Sequence, residues 1–508
     1  MKKILLLFIA INCYAQTPNI EWQKSFGGAN NDNGSTIKQT NDGGYISVGT
    51  TLSNDIFPAA NHHGDYDVYI VKTDNIGNIE WQKTIGGANY DVGISVSQTI
   101  DNGYIIAGYT SSNDGDITSN HGLFDALVIK LDALGNIVWQ KTYGGSLNEN
   151  AFDLIQTDEG GYILLGTSQS NDGQVSQNQG SVDVWIFKID ASGTIEWEKT
   201  LGGTDVDMIT SFIKTSDNGF AIVGHTFSND GDIVQNQGNA DAWIVKISNT
   251  GTVVWQKTYG GGEGDYLYSI QQTNDGGYIT CGQTESSDGN LSSNHGITDA
   301  WIMKLNPLGE IEWNKTYGGS NDDGLSSIIQ TIDGQYIFGG LTYSADFDIN
   351  TNFGESDCWI VKLNNNGDLV WEKNYGGSDN EGINNIIKTS NDSFIFVGYS
   401  YSNDGNVTVN NGLTDMWLVK LTAEQLSNSG FSQGSLEVFP NPTTNLLNLQ
   451  IPVDLAIDAI IVTDLTGKKV LEQTSIQHQI NTQNLASGIY FLKVIVGDQT
   501  YKTKFIKD

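Results

Sequence analysis

The chain contains no arginine: its 25 basic residues are all lysines, set against 59 acidic ones for a formal charge of −34. Phosphates and carboxylates are gripped best by a planar guanidinium fork, and an acidic surface without one repels polyanions. Nucleic acid is therefore not an expected partner. A cation, or a neutral polyhydroxyl ligand such as a glycan, suits the balance better. Cysteine is almost as scarce, at Cys13, Cys281 and Cys358 only, too few to staple 508 residues as a disulfide framework. Cys281 and Cys358 stand at strand positions where other repeats carry Ala, Val, Leu or Met, which predicts buried, inert thiols. No apolar run approaches the roughly 20 residues a membrane-spanning helix needs. The 3.6-residue spacing of an amphipathic helix is missing from the repeated region.

The N-terminus carries a shorter apolar stretch. Met1-Lys2-Lys3, the run Ile4 to Ile11, and Cys13-Tyr14-Ala15 before Gln16 follow the three-part pattern of a secretory signal. Residues 1–15 are expected to be removed, leaving a mature chain from Gln16 that has lost Lys2 and Lys3 and carries −36.

What the chain has in abundance is repetition. Trp-x-Lys recurs at Trp22, Trp81, Trp139, Trp197, Trp255, Trp313 and Trp371, about every 58 residues. A period of that size means stacked supersecondary units. In the second repeat, Gly93 to Thr99 and Tyr104 to Thr110 read as a hairpin around a turn at Ile100-Asp101-Asn102-Gly103. A polar loop, Ser111 to Phe124, leads to Asp125–Leu131, and a turn returns the chain through Asn136 to Tyr143. Four antiparallel strands per unit, repeated radially, predict an all-β chain with a seven-bladed β-propeller over residues 16–421. The fourth-strand motif has its first copy at Trp22, ahead of any complete unit, and the last unit ends at Leu421 without one. Residues 19–26 are thus expected to complete the seventh blade and remove an exposed edge.

Runs such as Lys304 to Trp313 resemble the tryptophan-docking repeats of quinoprotein-type propellers, over about a dozen residues per blade. The arginine-containing cofactor grip and vicinal cysteine pair of those enzymes have no counterpart here, so the likeness implies fold and not a quinone cofactor. After a polar linker, 422–435, the texture changes. Val438-Phe439-Pro440-Asn441-Pro442-Thr443-Thr444-Asn445, Asp464 to Val470, Leu485 to Val494 and the ending Lys504 to Asp508 resemble the type A C-terminal sorting domain of the type IX secretion system. The strand and turn pattern of 436–508 predicts a small β-sandwich. The resemblance implies a Bacteroidota-type bacterium, the type IX machinery as partner, and a chain secreted or attached at the outer surface.

Two sets of acids are candidate binding residues. Each repeat opens Gly-Gly with an acid four residues on: Asp32, Asp91, Glu149, Asp207, Asp265, Asp323 and Glu381. In a closed ring they would encircle a channel mouth and attract cations; the alternative is that each caps the N–H groups of its own turn. The long loops recur as Asp114, Asp116 and Asp125, and as Asp230, Asp232 and Asp241. Their alternating oxygens admit calcium as the one cofactor to consider, although EF-hand spacing is missing and Asx-turn capping competes. His63, His121 and His295 share a loop position that other repeats fill with Gln179, Gln237, Phe353 or Asn411, which is no zinc pattern. No nucleophile elbow or Walker loop occurs. Seven near-equivalent loops favour a monomeric binding or adhesion module for glycan or protein over a polysaccharide hydrolase or lyase, with the loops of the first and sixth repeats departing most from the rest.

Overall fold

The computed structural model describes residues 14–56, 62–291, 293–427, 436–450, 457–464, 468–473, 479–496 and 499–508. The expected signal segment, 1–15, falls almost wholly outside them, as does linker stretch 428–435. Two compact units result: Thr17–Glu424, and a second made of Met1–Gln16 with Gln425–Asp508.

The first unit is all-β and holds seven four-stranded antiparallel sheets. Sheet one runs Asp32–Gln39, Tyr45–Thr51, Asp67–Thr73 and Ile79–Ile85, each strand beside the next. Second and third strands are buried on both faces, as in Tyr162–Ser168 and Asp125–Leu131. They therefore read as continuous apolar runs, and the alternation expected of a half-exposed sheet does not appear in them. The first strands of all seven sheets line one cavity and are the inner ones. The fourth strands, with exposed or half-buried residues at their starts, are the outer ones.

Neighbouring sheets meet through one recurrent set of contacts. The outer-strand tryptophan packs on the second-strand tyrosine of the next sheet: Trp81 on Tyr104 at 5.6 Å between ring centroids, Trp255 on Tyr278 at 5.9 Å, Trp313 on Tyr336 at 6.1 Å. The same indole covers the glycine of the next sheet's last turn. Gly135 takes φ +78°, and a Cβ on it would come within 3.1 Å of three atoms of the Trp81 ring; both facts demand glycine. At the same end of the sheets, a glutamine closing the inner strand accepts a hydrogen bond from the turn of the preceding sheet. Asn41 N donates to Gln98 at 2.8 Å, and Asn274 N to Gln330 at 3.1 Å.

The seventh sheet supplies only Glu381–Lys388, Phe394–Ser400 and Asp415–Leu421. Its fourth strand is Ile20–Phe26, with Ile20 opposite Leu421 and Phe26 opposite Met416. The sheet-seven-to-one junction repeats the common contacts: Trp22 lies 6.0 Å from Tyr45, and Ser390 N donates to Gln39 at 2.9 Å. Since the last hairpin turn is cut by the chain ends, two substitutes occupy its place. The Tyr375 hydroxyl donates to Pro18 O at 2.7 Å, where Tyr143 uses Gly193 O at 2.7 Å. Trp371 Nε1 donates to Glu424 at 2.9 Å, and Lys362 pairs with the same carboxylate. The first unit runs to Glu424.

In the second unit, Glu437–Phe439, Leu446–Gln450 and Gln479–Asn481 form one antiparallel sheet. Lys469–Gln473, Ala459–Asp464, Gly488–Val496 and Gln499–Lys507 form another in that spatial order. Leu447 and Leu449 of the first sheet share an apolar cluster with Val462, Leu492 and Phe505 of the second. Tyr14–Gln16 pairs with Gln425–Ser427.

Deleting residues 16–30 is expected to lower the melting temperature sharply, because the seventh sheet loses a strand and exposes its edge. Trp22→Ala, which removes only the docked indole, should cost about 2 kcal/mol in chemical denaturation. A deletion that melts with the parent would contradict closure by this strand.

Candidate functional site

The recurring Gly-Gly-acid motif links each outer strand to the next inner strand, and it builds a clamp. One oxygen of Asp91 accepts from Gly87 N at 2.7 Å and Ser112 Oγ at 2.9 Å, and the other from Thr110 Oγ1. Asp207 repeats this with Gly203 N, Ser228 Oγ and Thr226 Oγ1, and Asp32, Asp265 and Asp323 do the same in their sheets. Glu149 and Glu381 take the N–H groups of Gly145 and Gly377 and the hydroxyls of Ser168 and Ser400. All seven are essentially inaccessible to solvent. The residues expected to ring a channel mouth are placed instead inside the wall, with their oxygens engaged by donors of the chain itself.

A second acid faces each clamp. Asp67, Asp125, Asp183, Asp241, Asp299, Asp357 and Asp415 open the third strands and are fully buried. Their Oδ2 atoms accept the N–H of the residue four before, at 2.6–2.9 Å, which is where His63, His121 and His295 sit. Their Oδ1 atoms are buried without a hydrogen-bond partner in all seven repeats. The orphan oxygen points at the first glycine of the motif, as does the clamp acid. A Cβ on Gly202 would lie 2.6 Å from Asp183 Oδ1 and 2.7 Å from Asp207 Oδ2, and every other junction agrees to within 0.6 Å. Burial, reinforced by the neighbouring carboxylate, pushes Asp67, Asp183, Asp241, Asp357 and Asp415 up to about 6.

The long-loop acids do not converge as the calcium expectation requires. Asp114 Oδ1 accepts from Ala88 N at 2.8 Å and Asp116 Oδ2 from Gly86 N at 3.4 Å, both on the loop entering sheet two. Asp125 lies at the junction leaving that sheet, with His121 Nδ1 2.6 Å away. Likewise Asp230 holds Thr204, Asp232 takes Gln179 Nε2 at 2.8 Å, and Asp241 stands one junction on. Among the described residues no three His, Cys, Asp or Glu side chains form a group able to hold a metal.

An open cavity lies elsewhere on this rim. Asn33, Tyr343, Glu355, Asn380, Asn384, Tyr399 and Tyr401 line about 570 Å³ where sheets six, seven and one meet. Tyr343 and Tyr401 each directly follow a second strand and are 41% and 46% exposed. Their backbones are fixed by bonds to the neighbouring loops, Tyr343 N to Asp322 O and Tyr401 N to Asn380 O, both 3.0 Å. The Tyr399 ring lies edge-on to Tyr401 at 6.1 Å and rests on Gly382, where a Cβ would meet it at 2.7 Å. Asn380 Nδ2 donates to Glu355 at 2.8 Å, and Asn384 Nδ2 to Gly34 O at 2.8 Å, so the polar side chains are oriented too. Rigid aromatic faces with a few fixed amides and one carboxylate make a site for a ligand with apolar faces and hydroxyl edges. Sequence reasoning missed these tyrosines. Their signal is the position after the second strand, which reads Leu52, Ser111, Gln169, Phe227, Glu285, Tyr343 and Tyr401, with adjacent aromatics in sheets six and seven alone.

Comparison with known proteins bears mainly on the C-terminus. Residues 437–508 match the secretion system C-terminal sorting domain family. That tail marks the chain for type IX secretion and attachment at the outer surface, and no helix among the described residues is long and apolar enough to cross a membrane. The regulatory protein FlaEY of Caulobacter vibrioides is 22% identical over 257 residues, 46% of this chain and 27% of its own length. The chain thus spans about a quarter of that curated relative. Among solved structures, PorZ, a surface component of the type IX secretion system of Porphyromonas gingivalis, is similar at TM-score 0.39 and 11% identity, over 95% of this chain and 60% of PorZ. A puromycin hydrolase is similar at TM-score 0.45 and 11% identity, over 84% of this chain and 59% of its own.

The buried acids set a pH dependence. A carboxyl whose folded pKa is raised stabilises the fold below its ordinary value and loses that contribution as pH climbs through about 6. Asp42, Asp101, Asp217 and Asp275 act oppositely: hydrogen bonds and a buried lysine hold them down to about 2 despite some desolvation, so their contribution fades as pH falls below 4. Melting temperature should therefore peak near pH 4, decline as pH rises to about 6 and level off above about pH 7. Asp183→Asn should shallow the decline. A melting temperature that rises steadily from pH 5 to 8 would contradict the assignment.

Proposed function

We propose that the Thr17–Glu424 unit is a seven-bladed β-propeller acting as a carbohydrate-binding module at the cell surface, with the sorting domain, a small β-sandwich, as its export and attachment tag. Support for the propeller comes from the seven equivalent sheets, the shared inner cavity, and a seventh-to-first junction built from the same contacts as the others. The observation that carries the binding role is the tyrosine cavity between sheets six, seven and one. Sugars offer alternating apolar faces and hydroxyl edges, which Tyr343 and Tyr401 can stack against while Asn33, Asn380 and Glu355 take hydroxyls. A neutral glycan also escapes the repulsion that the acidic chain exerts on polyanions. Binding is favoured over hydrolysis because the cavity is lined by one carboxylate, Glu355, whereas glycoside hydrolysis ordinarily uses a pair.

A glycan array probed with the mature chain should give hits among neutral oligosaccharides. Tyr401→Ala and Tyr343→Ala should each weaken them by about 1–2 kcal/mol, roughly 5- to 30-fold, without moving the melting temperature. An array without hits, or hits indifferent to both substitutions, would exclude this site. Export is tested separately: a chain ending at Glu424 should fold but accumulate in the periplasm, and its appearance on the cell surface would contradict the role given to residues 437–508.

A further inference from the structure

A second cavity, about 510 Å³, is enclosed by the seven inner strands themselves. Each strand slips register at the same place, as between Gly34 and Thr36 or Ala151 and Asp153, leaving one residue unopposed. Such a bulge re-aims side chains. Here it brings both the extra residue and its successor to the cavity wall in all seven sheets. The successor carries a hydroxyl in five sheets and an amide, Asn385, in a sixth; in the third sheet it is a carboxylate, Asp153.

Asp153 and Lys38 are the charged residues among those lining the cavity. They lie on sheets three and one, with sheet two between them. Asp153 Oδ1 accepts from Ser95 Oγ at 2.7 Å and Leu154 N at 2.9 Å. Burial raises its pKa, and the charge of Lys38 acts against that rise. Lys38 is therefore close enough to be felt by Asp153, yet the two form no ion pair within 4.0 Å, and the Lys38 ammonium has no acceptor among the described residues. Ser211 and Ser269 likewise keep hydroxyls that no side chain or backbone group among the described residues engages. Two opposite charges on the wall of one hydroxyl-lined cavity, not paired with each other, offer a molecule inside it both a cation and an anion as partners.

We propose that this channel binds a small carboxylate carrying a hydroxyl or ammonium donor, its carboxylate on Lys38 and its donor on Asp153, with Ser211 and Ser269 taking the remaining polar groups. One ammonium without an arginine or second lysine suits a monoanion and not a phosphate dianion. Asn384 lines both this cavity and the tyrosine site, so the rim gives a route of entry.

Calorimetric titration of the full-length mature chain with serine, glycerate and glycerol tests this. Saturable binding of serine or glycerate, with none of glycerol, is expected; serine alone identifies an ammonium-bearing ligand, and both together a hydroxyl-bearing one. Lys38→Gln should weaken binding at least tenfold, Lys38→Arg should retain it, and Tyr401→Ala should leave it unchanged, which separates this site from the rim site. Asp153→Asn should cost serine more than glycerate. No saturable heat with either carboxylate, equal binding of glycerol, or undiminished binding by a folded Lys38→Gln chain would overturn the proposal.

Discussion

Two buried carboxylates converging on one glycine organise every junction between neighbouring sheets. The clamp acid gathers a backbone N–H and two hydroxyls where it is aspartate, and backbone N–H groups with one hydroxyl where it is glutamate, tying the loop that enters a sheet to the end of its second strand. The third-strand aspartate of the preceding sheet fixes the long loop through the backbone N–H of the residue four before it. With both carboxylates crowding the space a side chain would take, glycine is required there, and the loop cannot slip without leaving buried acceptors unsatisfied. Strand register, sheet spacing and the placement of the rim all descend from this arrangement. Such a junction is expensive in isolation, since like charges share a desolvated space. It persists because the same loops bring apolar second and third strands into contact, as in the clusters that span sheets two and three or four and five.

Much of this was legible before any coordinates. The Trp-x-Lys period gives the number of units, and the unpaired first copy at Trp22 gives the closing strand, because both follow from counting strands of one type. The capping role of the recurrent acids was readable as well: a carboxylate four residues after Gly-Gly has N–H groups within reach in almost any turn. What resisted reading was the convergence of residues from different repeats. Asp183 and Asp207 appear as members of two separate series, and nothing in a linear pattern says that they share one glycine. The inner-strand bulge is hidden for a similar reason, since one extra residue in an eight-residue strand leaves no mark on a polar–apolar pattern that already lacks strict alternation. Tyr343 and Tyr401 do not recur in the other repeats, so a pattern built on recurrence does not contain them.

The absence of arginine also acquires a structural meaning. The third-strand lysines, among them Lys72, Lys130, Lys246 and Lys304, are buried along their stems and deliver a compact ammonium to turn acids at 2.9–3.0 Å and to the carbonyl of the next residue. Lysine's slender stem packs against apolar neighbours and keeps its charged tip at the boundary. Lys72, Lys130, Lys246, Lys304, Lys362 and Lys420 are buried in this way, as are the fourteen acids of the junctions.

The strand that completes the seventh sheet lies at the opposite end of its unit from the strand it pairs with. A chain that emerges N-terminus first, whether from a ribosome or through a pore, must hold Ile20–Phe26 unpaired until Asp415–Leu421 arrives. Seven sheets can stack in order along the way, but the last edge stays sticky until the final strand is available. The seventh sheet is therefore a clasp that shuts only once Leu421 has emerged, and a few residues cut from the leading end would leave its third strand with a bare edge.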